Sequence, residues 1–123
     1  MATFGDLANS GAVEVLRESI SVLRKRGWVQ GVTRDLETGS VDLLGAIAIA
    51  AGAPIMQVDD RPDLLLSAVP EARQAAAMVA WEALEWACDE DDPVAWQDFG
   101  GRRLEDVVKV INKAADRLQI AVR

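Results

Sequence analysis

The side chains best suited to building a site in this sequence are Trp28, Gln30, Trp96, Asp98 and Arg102. Two indoles could wall a pocket while an amide, a carboxylate and a guanidinium orient a ligand in it. The same five residues have a structural reading, and it is the stronger one. Gln30 can satisfy backbone groups, Trp28 and Trp96 can seal a core, and Asp98 can pair with Arg102 or cap the helix that follows. Acid–base chemistry is thinly supplied. The chain has no histidine, so a hydrolytic site would need two carboxylates, such as Asp98 with Asp42 or a glutamate, converging in a cleft. No serine stands in a nucleophile elbow, and Gly27, Gly31, Gly100 and Gly101 lack the lysine and hydroxyl residue of a phosphate loop. The single cysteine, Cys88, excludes an internal disulfide and a multi-thiolate zinc site, and its apolar helical context reads as core. Asp59, Asp60 and Asp63 lack the alternating spacing and the glycine of a calcium loop and read as turn residues. No metal and no cofactor is expected.

Charge narrows the partners. With 20 acidic against 13 basic residues the formal net charge is −7, a sign that repels phosphate backbones at a distance. The densest basic runs, Arg24-Lys25-Arg26 and Arg102-Arg103, have no interleaved aromatics for base stacking and read as solvated helix ends, so no nucleic-acid partner is expected. No membrane partner is expected either, because the most apolar stretch, Val41 to Val58, is broken by Asp42, Gly45, Gly52 and Pro54. The opening MATFGDLANSGAVEVL has neither the basic start nor the apolar run of a signal peptide, which with the lone cysteine predicts a cytoplasmic protein.

The elements that must position these residues are mainly helical. The length of 123 residues suits one domain spanning 1–123 with its own core. Val13, Leu16, Ile20 and Leu23 form one stripe of a helix from Ser10 to Arg26, closed by Gly27. The segment 28–41 loses the helical period and reads as a short hairpin or irregular loop. Asp42 caps a short helix, Leu43 to Ala51, that is apolar all round and therefore central. A proline-rich connection with one helical turn over Leu64–Ala68 leads to a helix from Pro70 or Glu71 to Cys88. The acidic run Asp89 to Asp92 opposes the dipole at that helix's end and reads as a solvated terminator. The final helix, Arg103 to Ala121, has the clearest stripe: Leu104, Val107, Val108, Ile111, Ala114, Ala115, Leu118 and Val122. The predicted fold is a compact bundle of four or five helices.

On the Glu71–Cys88 helix the polar residues occupy one narrow face and the alanines and large apolar side chains spread over the rest. Trp81 and Trp86 flank this broad arc. Burial in the monomer core is the slightly favoured reading for both, and an interface with a second copy or another protein is its rival.

Three strings, Arg26-Gly27-Trp28-Val29-Gln30-Gly31, Leu44-Gly45-Ala46-Ile47, and Trp96-Gln97-Asp98 followed by Gly101-Arg102, carry a resemblance over Glu14 to Leu118. The chain resembles a family of small actinobacterial and actinophage proteins known only as a domain of unknown function. It departs from that pattern at Gln97, where the family has asparagine, at Arg103, where it has a threonine able to cap the last helix, and at Asp42 or Leu43, where a cysteine is frequent. The last departure counts against a thiol-based activity, and the resemblance implies no other. The leading functional reading is a non-enzymatic interaction or regulatory module that self-associates. A carboxylate-based hydrolase or ligand-binding protein, and an acidic phage-type inhibitor that imitates nucleic acid, are the alternatives.

Overall fold

The computed structural model describes residues 4–54, 67–89 and 92–122. Five helices pack together: α1 (Phe4–Arg26), α2 (Leu43–Ala50), α3 (Glu71–Cys88), α4 (Pro93–Asp98) and α5 (Leu104–Val122). Asp59, Asp60, Asp63, most of the turn predicted over Leu64–Ala68, and Glu90 and Asp91 of the acidic run lie outside the described residues.

The three long helices each bury an apolar face, with Val13, Ile20, Leu104 and Leu118 of the predicted stripes half-buried at its margins. Leu16 and Leu23 of α1, Leu84 of α3, and Val107 and Ile111 of α5 are fully enclosed. The helix α2 lies among α1, α3 and α4 with Leu43, Ala46, Ile47 and Ala48 buried, the surroundings that a helix without a polar face requires. Along their polar edges α1 and α5 run antiparallel, because Arg17 reaches Asn112, Asp116 and Gln119 while Arg24 pairs with Glu105 at 3.0 Å. These exposed pairs set register more than they stabilise.

Two elements differ from the sequence expectation. The first helix begins at Phe4 instead of Ser10. It continues through Gly11, where a Cβ would sit 3.0 Å from that of Ala76, so the glycine that weakens helix propensity also permits the close approach of α3. The short helix α4 was not expected at all, since six residues carry no readable period. Its start is nonetheless specified: Asp92 accepts from Val94 N and Ala95 N, and Pro93 occupies the first turn, the arrangement that satisfies free N–H groups and exploits proline's fixed φ.

The segment 28–41 is irregular, held by isolated bridges of Val41 to Trp28 and to Arg34. Its backbone is knitted by Val29 N to Val41 O, Val41 N to Gly27 O and Asp42 N to Thr33 O. Gly27 turns the chain out of α1 with φ 95°, and a Cβ there would lie 2.7 Å from Ser40 Oγ. No helix among the described residues is long and apolar enough to cross a membrane.

Candidate functional site

The strings spaced through the sequence meet at Gln97, a fully buried residue of α4. Its side-chain oxygen accepts from Trp28 Nε1 at 2.9 Å and from Leu43 N at 2.9 Å. Its nitrogen donates to Asp42 Oδ2 and to Asp98 Oδ1, each at 3.1 Å. Two N–H donors on one side and two carboxylates on the other define the only orientation an amide can take here, and they select against glutamate, whose second oxygen would face both acids.

Around this amide the remaining candidates are arranged as supports. Asp42 is 2% exposed and caps α2 through Oδ1, which accepts from Gly45 N at 2.8 Å, while Oδ2 faces Gln97. Gln30 lies toward solvent, yet its amide donates to Gln97 O at 2.6 Å and Phe99 O at 3.2 Å, satisfying carbonyls that the end of α4 leaves open. Arg102 Nε donates to Trp96 O at 3.1 Å, and its guanidinium lies 4.2 Å from the Trp96 ring centroid and 5.6 Å from that of Phe99. A cation at this end of α4 also suits its dipole. Asp98 neither pairs with Arg102 nor caps the last helix; its Oδ1 accepts from Gly31 N and Gln97 Nε2. The N-terminus of α5 is served instead by Asp106, which accepts from Arg103 N at 2.8 Å.

The structure thus brings Trp28, Gln30, Trp96, Asp98 and Arg102 together, with Asp42 and Gln97 at the centre. Chemically the cluster behaves as a clamp: it ties the 28–42 segment, the start of α2 and the end of α4 through groups that bond one another. Asp42 and Asp98 do converge, but on opposite hydrogens of one amide, which spends those oxygens on holding the loop. Gln97 is the residue that sequence reasoning underrated. The signal for it was its place between Trp96 and Asp98 in a string already singled out.

The other pair of candidates is divided. Trp81 is half-buried against the core, whereas Trp86 is 44% exposed. Trp86 forms one wall of a shallow, mostly apolar groove of about 540 Å³ with Lys109, Asn112, Lys113, Asp116, Arg117 and Ile120 of α5. The Arg117 guanidinium lies 4.0 Å and Lys113 Nζ 5.0 Å from the Trp86 ring centroid, and Lys113 also donates to Ala87 O near the end of α3. Ile120, at 69% exposure, closes the groove with an apolar side chain left in water.

Elsewhere the candidate groups are dispersed. Cys88 is half-buried with Sγ 3.8 Å from Glu85 O. Of the basic runs, Arg24 is engaged with Glu105 and Arg102 with Trp96. Among the described residues no group of three or more cysteine or acidic side chains is placed to hold a metal ion.

No curated protein and no solved structure matches this chain. A family does, over residues 9–117, which takes in both the Gln97 clamp and most of the Trp86 groove. The chain belongs to the Family of unknown function (DUF6197).

Proposed function

We propose that the protein is a non-enzymatic interaction module that works in the cytoplasm and self-associates as a homodimer through the α3–α5 face around Trp86. The observation that carries this reading is the exposure of Trp86 and Ile120 on either side of an apolar groove. Large side chains of that kind, set in a patch with polar margins, are characteristic of protein contacts. The clamp at Gln97 supports the same reading from the other direction, because its polar groups bond each other.

A protein partner suits the face better than nucleic acid does, since the cations near Trp86 already lie over its ring and the net charge is −7. Nor does the face present acids alone, as imitation of nucleic acid would require: Lys109, Lys113 and Arg117 line it.

The test is light scattering coupled to size exclusion at micromolar concentration. The expected result is a dimer for the wild type and a folded monomer for Trp86→Glu, since a charge placed at the centre of an apolar contact is costly to bury. A wild type that stays monomeric throughout the concentration series removes the reading.

A further inference from the structure

We infer that the dimer contact is a charge-swapped one, in which the acidic ridge of α3 in one copy lies over the basic ridge of α5 in a second copy, with Trp86 near the twofold axis. This rests on the proposed self-association and specifies its geometry.

The argument begins with helical spacing. Lys109, Lys113 and Arg117 recur every four residues and therefore form a single line along α5, and all three line the groove. On α3, Glu82 and Glu85 fall on the solvent side of Trp86, away from the buried face of Ala80, Ala83, Leu84 and Ala87, and the exposed Asp89 follows them as the left-handed C-cap of the helix. The seam between the helices is thus bordered by acids on one side and on the other by three cations, among which the one acid, Asp116, is paired with Arg17 at 3.3 Å, with an exposed indole between the two sides.

A twofold interface uses the same patch twice, so it must be complementary to itself. Rotation about an axis parallel to the seam exchanges its left and right sides and sets acid over base in both halves. An axis across the seam would set acid over acid and base over base, which is repulsive twice. The first arrangement also keeps the two Trp86 side chains at equal height along the seam. Two molecules that each carry −7 repel at long range, so local opposite charge at the contact favours an association between them. The basic ridge beside Trp86 supplies it, which makes a second copy of this chain the occupant that the surface fits.

The experiment is sedimentation equilibrium on four samples: wild type, Lys109→Glu/Arg117→Glu, Glu82→Lys/Asp89→Lys, and an equimolar mixture of the two variants. Circular dichroism establishes that each variant is folded, and Lys113 is left intact because it also bonds Ala87 O. Each variant alone is expected to dimerise at least about tenfold more weakly than wild type, and the mixture to recover a heterodimer, because reversed charge on one ridge meets reversed charge on the other. The wild-type dimer is expected to weaken as salt rises from low to several hundred millimolar. A wild-type dimer that Trp86→Glu disrupts but that charge reversal and salt leave unchanged overturns the swapped geometry and leaves the self-association standing. A monomeric wild type overturns both.

Discussion

The chain uses tryptophan in opposite ways at two places. At the Gln97 clamp, Trp28 turns its ring toward the core and its N–H is bonded to a buried amide oxygen. On the α3–α5 face, Trp86 stands partly in water with Arg117 and Lys113 over its ring. The first joins segments that are distant in sequence, with bonds from Trp28, Gln30, Gly31, Asp42 and Leu43 all ending on α4 or the residue after it. The second joins only two adjacent helices, through side chains stacked on Trp86 and the bond from Lys113 to Ala87 O. Polar groups that satisfy one another inside make a fold, and apolar surface left among surface cations makes a place to bind. Motif-like spacing therefore marked the scaffold, and the face proposed for binding lies on α3 and α5, outside every motif.

The largest effect is expected from breaking the clamp. Gln97→Glu places a third carboxylate against Asp42 and Asp98 and deprives both of the amide donor, so it should destabilise the protein by about 3 kcal/mol or more at neutral pH. When protonated, the introduced carboxyl can donate to one of the acids, so burial and like charge raise its folded-state pKa above the unfolded value. The stabilising contribution of the protonated form is then present at low pH and lost as pH rises. The deficit relative to wild type should shrink on acidification toward about pH 4–5, a range set by ordinary glutamate titration at about 4.3. Denaturant melts of both proteins across pH would show it, and a deficit independent of pH would mean that the side chain at this position does not face the two acids.

An intermediate effect belongs to Gly45, inside the cap that the clamp secures. A Cβ there would stand 2.8 Å from Thr33 O and 3.1 Å from the Val41 Cβ, so backbone has to move and the bond from Asp42 N to Thr33 O is strained with it. Gly45→Ala should cost about 1–3 kcal/mol despite alanine's better helix propensity. Thermal denaturation is the measurement, and a stabilised variant would show that the 33–45 contact yields freely.

How much of this was legible depended on whether one residue's neighbours along the chain were also its neighbours in space. The stripes around Leu16 and Ile111 were readable because helix periodicity alone puts them on one face, and Asp42 as a cap was readable because its partner is three residues away. Gln97 was not, since a polar residue is expected outside until the segments that bury it are in place. The helix α4 was signalled by Asp92-Pro93, but its length hid it. Trp81 and Trp86 flank the same arc by the wheel, and only the positions of the other helices decide which flank is covered.

The smallest effect should come from the α3–α5 face proposed for binding. Arg117 stacks on Trp86 at the surface, where a cation–π contact contributes about 0.5–1 kcal/mol, and alanine is a better helix former than arginine by a few tenths of that. The two nearly offset, so Arg117→Ala should change monomer stability by less than about 1 kcal/mol. Because a dimer that binds only the folded chain raises apparent stability with concentration, the melts have to be run at dilutions where size exclusion shows monomer for both proteins. At higher concentration the variant should melt below the wild type, since it lacks one cation of the basic ridge. A loss above about 2 kcal/mol at high dilution, more than a surface cation–π contact supplies, would make Arg117 part of the scaffold, and the distinction between an inward-bonded clamp and an uncommitted face would fail on the side where it is most exposed to test.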